Sequence, residues 1–232
     1  MYSIILPIYN EEENLDKLIP ELIKSLNGIV FEILVIDDDS TDRTEEIIIK
    51  IKKNFENVVY KNRAGQPRSL GRSVWTGIQI SKYKNLILMD CDFSHGIEEL
   101  KKMIFFQNNN NYDLICYSRF AEFKPKKFNL RYSLSKIYNL ILKPFLGLNT
   151  TDSLSGFFLF KKKLLVDLPS DKIFYGYGDY YFRLLFFLKS KNIKFKELSF
   201  EWIDRKYGKS KTKFINIFIR YTYEALKLRV GL

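Results

Sequence analysis

Cysteine and histidine are nearly missing from this chain. The two cysteines, Cys91 and Cys116, lie in or beside apolar runs, which argues for buried, reduced thiols and against a disulfide framework or a zinc site. His95 is the only histidine, so no histidine metal cluster can form. No G-x-G-x-x-G follows the first apolar run and no G-x-x-x-x-G-K-[ST] occurs, so neither a dinucleotide fold nor a P-loop is supported. No uninterrupted apolar run approaches the roughly 20 residues that span a bilayer. No charged n-region precedes an apolar h-region either, since Met1 leads straight into a predicted strand. These absences predict a cytoplasmic chain, at most peripheral on the inner face of a membrane. Negative charge is also in short supply, with 27 Asp and Glu against 38 Lys and Arg and a net charge of +11. That balance favours an anionic partner, which could be nucleotide, nucleic acid or an acidic membrane surface.

What is present is ample for a core: 46% of the 232 residues are hydrophobic, enough for one α/β domain. Apolar runs and helical patterns alternate through the first half. Strands are predicted at Tyr2–Tyr9, Phe31–Ile36, Val58–Tyr60 and Leu86–Met89. Between them lie helices from an Asn10 N-cap to about Leu26, from Thr44 to about Phe55, and over Ser69–Ser81. This rhythm predicts a mostly parallel, doubly wound sheet with helices on both faces and right-handed crossovers. Further on, helices are expected at Glu98–Gln107, Arg131–Leu146 and Asp179–Ser190, with a polar turn at Asn108–Asn111 and a mobile basic loop over 120–129. Strands are expected at Leu114–Tyr117, Phe157–Phe160 and Phe195–Phe200. A C-terminal amphipathic helix, Lys213–Arg229, carries Phe214, Ile217, Phe218, Tyr221, Ala225 and Leu228 on one side. Its stripe can pack on the sheet or dock on a membrane surface.

The carboxylates fall where such a sheet binds ligands, at the carboxyl ends of its strands. The second strand ends in Asp37-Asp38-Asp39 and the fourth in Asp90-Cys91-Asp92. Alternate residues of an extended chain point the same way, so Asp90 and Asp92 can face one ligand. Close carboxylates repel unless a cation lies near them, and hard oxygen ligands suit Mg2+ or Mn2+. A lone D-x-D is more often a solvated turn after a strand, and the second acidic strand end is what shifts the balance. Positive charge gathers downstream, at Arg119, Lys124, Lys126, Lys127, Arg131, Lys136 and Lys143, then at Arg205, Lys206, Lys209, Lys211 and Lys213. Many of these lysines are equally readable as solvated faces.

Taken together these stretches resemble the inverting family 2 glycosyltransferases of GT-A fold, and within them the dolichyl (polyprenyl) phosphate mannose synthase branch. Pro7-Ile-Tyr9-Asn10-Glu11 looks like the family's P-x-Y-N-E. Asp37-Asp38-Asp39-Ser40-x-Asp42-x-Thr44 resembles its D-D-x-S-x-D-G-T, and Asp90-Cys91-Asp92-x-Ser94-His95 its D-A-D-L-[QS]-H. Ser118-Arg119, Arg131-x-x-x-Ser135, Asp152-x-x-Ser155-Gly156-Phe157 and Arg205-x-x-Gly208-x-Ser210-Lys211 recur in the same order. Arg43 in place of Gly, Gly96-Ile97 in place of a Pro pair, and Gly176-Tyr177-Gly178-Asp179 depart from the pattern and bear on which sugar is used. The resemblance implies one GT-A domain over 1–232, with a nucleotide-sugar half (1–117), an acceptor half (118–212) and the C-terminal helix (213–232). It implies that Pro7, Tyr9, Glu11, Ile36 and Asp38 line the nucleoside pocket, completed by Asp90 and Cys91. Asp92 and Ser94 would hold Mg2+ or Mn2+, and Arg119, Arg131, Arg205 and Lys211 would meet donor diphosphate and acceptor phosphate.

The expected reaction moves a mannose- or glucose-type hexose from a nucleotide sugar such as GDP-mannose to a polyprenyl phosphate at a membrane surface, with a membrane-anchoring subunit as a further expected partner. A phosphate acceptor needs no general base, because it is already ionised near neutral pH. A glycan hydroxyl acceptor would need one, and Asp179 is the candidate, readable equally as a helix N-cap. The non-enzyme alternative is a basic module for anionic lipid or nucleic acid. Nucleic acid is not expected, because the acidic strand ends would repel a polyanion.

Overall fold

The computed structural model describes residues 1–122, 130–199 and 214–231; of Arg131, Phe214 and Ile215 only the backbone is described. The expected alternation is present. Strands β1 (Tyr2–Ile8), β2 (Phe31–Asp37), β3 (Val58–Asn62) and β4 (Asn85–Leu88) alternate with helices α1 (Glu12–Ser25), α2 (Thr44–Asn54) and α3 (Leu70–Ile80). Then follow α4 (Ile97–Asn110), β5 (Leu114–Ser118), α5 (Leu130–Leu146), β6 (Phe158–Lys161), a 3-10 turn at Lys162–Leu165 and the single-turn α6 (Ser170–Ile173). The chain continues with α7 (Asp179–Leu188), β7 (Phe195–Ser199) and α8 (Phe214–Val230).

One seven-stranded sheet, in the order β3-β2-β1-β4-β6-β5-β7, takes strands from both sides of residue 117. All pairings are parallel except those of β6, which runs antiparallel to β4 and β5. Alternate side chains leave the sheet on opposite faces, and the core divides accordingly. Ile5, Leu34, Ile36, Leu86, Leu88, Phe158 and Phe160 meet α3, α5, α7 and α8. Ile4, Leu6, Ile33, Val35, Ile87, Met89 and Leu159 meet α1, α2 and α4 on the other side. Both faces are covered, which is why the central strands read as continuous apolar runs.

Three local expectations need correction. Asn10 does not cap α1: it adopts φ 54, in the left-handed region, and Glu11 occupies the cap position without a side-chain cap bond. Asn10 instead joins the ends of β1 and β2, its N–H donating to Ser40 Oγ (2.8 Å) and its side-chain oxygen accepting from Thr41 N (2.8 Å). The 108–111 turn is helical through Asn110, and only Asn111, at φ 53, turns the chain. On α5, whose sequence offers Tyr132, Ile137, Tyr138, Ile141 and Phe145 for one broad apolar side, the inward face is Tyr138, Leu142 and Leu146, whereas Ile137 and Ile141 are exposed. Most of the expected 120–129 loop lies outside the described residues.

Candidate active site

Register brings the acidic strand ends together. Ile8 of β1 pairs with Asp37 of β2, and Ile5 pairs with Leu88 of β4. Asp38 N–H donates to the Ile8 carbonyl (2.9 Å), so Pro7–Glu11, Asp37–Asp39 and Asp90–Asp92 leave three adjacent strands at the same edge.

The Asp90–His95 turn is held from behind by an aromatic stack. His95 lies parallel to Phe157 (centroids 4.7 Å apart) and Phe157 to Tyr117 (5.0 Å). The Asp90 N–H donates to His95 Nδ1 (3.2 Å), which requires that nitrogen to be unprotonated. Burial pushes the imidazole down to about 4 against the pull of Asp92, with Arg119 adding to the depression. His95 is thus a neutral scaffold at physiological pH. Gly156 lets this edge close up, since a Cβ there would sit 3.3 Å from Asp90 Oδ2. Asp92 is 7% exposed, and its Oδ1 accepts the Ser94 N–H at 3.0 Å. Ser94 Oγ is buried with no hydrogen-bond partner among the described residues. An orphaned buried hydroxyl beside a carboxylate is a costly arrangement unless something fills it. A divalent cation fits, and Asp92 with Ser94 would hold it. No group of three His, Cys, Asp or Glu among the described residues is placed to bind a metal. Two protein oxygens would leave most of such an ion's shell to water and ligand phosphate.

The nucleoside-side residues separate into those that border the crevice and those that do not. Tyr9 is half-buried, with the Arg68 guanidinium 4.4 Å above its ring. Glu11 accepts from Asn14 Nδ2 (2.7 Å) and fixes the start of α1. Pro7 is buried within β1. Ile36 and Cys91 require correction: both side chains point into the core, so only their backbone can meet a ligand. Asp37 serves the loop itself, with Oδ1 accepting from Ser40 N (2.9 Å) and Oδ2 from Tyr60 OH (2.9 Å).

Asp38 is held by a residue that sequence reasoning did not single out. Arg63, 3% exposed, pairs with Asp38 Oδ1 and also donates to Ser73 Oγ (3.1 Å). The Ser69 N–H donates to the other Asp38 oxygen (2.6 Å). The only signal in the chain was a charged residue directly after a strand.

On the acceptor side, Arg119 is paired within the protein. Its Nε and Nη2 lie 2.6 and 2.8 Å from the two oxygens of Asp152, a bidentate pair with a fully buried carboxylate. Asp179, the candidate base, is fully buried with Oδ2 bonded to Arg183 Nη1 (2.5 Å) and Arg220 Nε (3.2 Å). Its Oδ1 accepts from Tyr177 N (2.8 Å). It is not the helix N-cap either, since Gly178 holds that position and Asp179 is the first helical residue. The carboxylate clasps α7 to α8. Arg183, buried in an otherwise apolar helix four residues after Asp179, was the legible sign of this pair. Arg205, Lys211 and the Arg131 side chain lie outside the described residues.

A mixed sheet with an acidic turn at the carboxyl edge of its central strand is the GT-A arrangement of nucleotide-sugar transferases. Residues 3–168 match the family model described as Glycosyl transferase family 2, and the chain belongs to that family. It is 29% identical to a dolichol-phosphate mannosyltransferase of Pyrococcus furiosus, over 97% of this chain and 63% of that protein. It is 24% identical to a dolichyl-phosphate beta-glucosyltransferase of Trichomonas vaginalis, over 98% of this chain and 72% of that one. The chain thus spans under two thirds of the Pyrococcus protein. Its fold is shared with the glucosyl-3-phosphoglycerate synthase of Mycobacterium tuberculosis, solved with Mn2+ and UDP-glucose. The TM-score is 0.73 at 19% identity, covering 100% of this chain and 79% of that one.

Proposed function

We propose that this chain is a metal-dependent, inverting hexosyltransferase that moves a mannose- or glucose-type sugar from a nucleoside diphosphate to a polyprenyl phosphate at a membrane surface. The observation that carries the reading is the Asp92–Ser94 turn, with its orphaned hydroxyl, at the strand edge where the ends of β1 and β2 also lie. The two relatives named for dolichol or dolichyl phosphate, matched over 97% and 98% of this chain, support the acceptor class. A divalent ion, Mg2+ or Mn2+, would neutralise charge developing on the departing diphosphate.

The protein's own residues bind and orient. Tyr9, Glu11 and Asp38 border the nucleoside, and the backbone of Ile36 and Cys91 closes its pocket. Arg131, Arg205 and Lys211 are assigned to the phosphates, and Arg119, locked to Asp152, shapes the wall beside them. A phosphate oxygen of the acceptor attacks C1 of the sugar as the bond from C1 to the diphosphate oxygen breaks. One displacement inverts the anomeric centre and releases the nucleoside diphosphate. The acceptor, with a second pKa of about 6, arrives ionised and no base is needed. That fits the engagement of Asp179 with two arginines, which speaks against the hydroxyl-acceptor alternative. A membrane-anchoring subunit would serve to present the lipid.

The test is a thermal-shift screen of GDP-mannose, UDP-glucose and UDP-N-acetylglucosamine with and without Mn2+, followed by transfer assays with polyprenyl phosphate. A metal-dependent shift with one donor and transfer to the lipid is expected. No metal-dependent shift with any donor would refute the reading.

A further inference from the structure

Five non-glycine residues among those described have a positive φ, and four of them are Asn or Asp: Asn10, Asp39, Asn111 and Asp167. Their short polar side chains make the left-handed region tolerable. Phe93, at φ 62, is the exception. A bulky L-residue there brings its Cβ against the following carbonyl, which disfavours the conformation about tenfold. Such an outlier persists only where the surrounding structure holds it, and outliers of this kind cluster where ligands are clamped. Phe93 lies in the turn after β4, between Asp92 and Ser94.

That position gives its dihedrals a consequence. Asp92 and Ser94, the two residues that fit a divalent cation, are separated by Phe93 alone, so its φ and ψ decide whether their oxygens converge. In the observed conformation the Ser94 N–H donates to Asp92 Oδ1 (3.0 Å), and both residues are buried. Rotation of residue 93 into the right-handed or extended region would swing one donor away from the other. What opposes the rotation is anchoring. Cys91 and half-buried Phe93 pack against the core shared with α1 and α4, and His95 stacks on Phe157 of the same core (4.7 Å). Three alternate residues are thereby tied down, and the two candidate ligands stand between them.

We propose that Phe93 is a positioning residue, whose core-anchored ring holds the left-handed kink that sets Asp92 and Ser94 toward one cation. This rests on the metal-dependent reading, and the test separates the two. The full chain is titrated with Mn2+ at saturating GDP and, separately, UDP, and the Mn2+ midpoint is read from the melting temperature. Without the ring, the fraction of turns in the competent conformation falls, and the apparent metal affinity falls in proportion. Phe93→Ala, which keeps the φ penalty and loses the anchor, should raise the midpoint about tenfold. Phe93→Gly, which enters the left-handed region about as readily as the right-handed one, should raise it only about threefold. Phe93→Leu, which keeps an apolar anchor, should stay within about twofold. A merely structural role would change the metal-free melting temperature and leave the Mn2+ midpoints alike. Equal midpoints in the wild type and all three variants, a Gly variant weaker than the Ala variant, or a Leu variant as weak as Ala would each overturn the inference and leave the metal site standing. A wild type whose melting never responds to Mn2+ with either nucleotide would remove the metal-dependent reading, and the inference with it.

Discussion

Ser94→Ala should make the protein more stable and a poorer metal binder at once. In the absence of ligand the Ser94 hydroxyl is buried and bonded to nothing among the described residues. Such a group carries a desolvation cost of about 1–3 kcal/mol. Its removal deletes one oxygen and leaves a void smaller than a methyl group, an opposing cost of under about 1 kcal/mol. The net gain of about 1 kcal/mol corresponds to roughly 2–4 °C in melting temperature for a chain of this length. With the hydroxyl gone, Asp92 must hold the cation with one protein oxygen fewer, a loss of about tenfold in affinity, or about 1.4 kcal/mol. Thermal unfolding without metal reads the first effect, and a Mn2+ titration in the presence of donor nucleotide reads the second. A variant that melts below the wild type and keeps its metal midpoint would refute the reasoning, because the hydroxyl would then be serving the fold.

Asp92→Asn should abolish metal-dependent transfer, whereas Asp179→Asn should lower the melting temperature, with a cost of about 3–5 kcal/mol for breaking a buried pair, yet leave turnover of the folded enzyme with polyprenyl phosphate within a few fold. Collapse of turnover in folded Asp179→Asn would restore Asp179 as a base. Gly71→Ala should destabilise by about 2 kcal/mol in denaturant titration, because the added Cβ would lie 2.6 Å from the backbone nitrogen and oxygen of Tyr175. Burial raises the Asp113 carboxyl, but the Lys194 N–H and the Lys161 and Lys163 ammoniums outweigh it and hold the group down to about 2. Its contribution, about 1 kcal/mol after solvent screening, is therefore full above the ordinary carboxylate range and lost as pH falls through about 2. Asp113→Asn should remove that part of the acid dependence of stability, read by melting between about pH 5 and pH 2.

The first half of the chain was legible because its signals are local. Period, strand length and the N-capping Ser69, whose side chain accepts from Arg72 N, are set within a few residues of one another. The acidic strand ends were legible for the same reason, since a residue following a buried parallel strand must emerge at the ligand edge. What escaped was pairing across sequence distance. Arg119 looked unpaired until Asp152, 33 residues away, was seen to accept from its Nε and Nη2. Asp38 looked open until Arg63 was seen beside it, and Asp179 looked catalytic until Arg220 reached it from α8. In each case the sequence showed a charge and concealed its partner. Side-chain direction was the other blind spot: Ile36 in β2 and Cys91 in the turn after β4 both have side chains buried in the core.

Those hidden partners form a chain of their own between the two halves of the molecule. Ser69 donates its N–H to Asp38 at the nucleoside edge and its hydroxyl to the Gly176 carbonyl (3.1 Å), where Gly71 N also bonds (3.2 Å). One residue on, Tyr177 N bonds Asp179, and Asp179 holds Arg183 of α7 and Arg220 of α8. Leaving buried Asp179 or Arg183 without its partner would cost several kcal/mol, so the segment 174–179 has little freedom to shift alone. The bonds therefore fix α8 relative to the acidic edge of the sheet. The Gly176–Asp179 segment, of which only Asp179 is buried, is where this sequence makes that link, in the stretch that departs from the pattern of the mannose synthases it resembles.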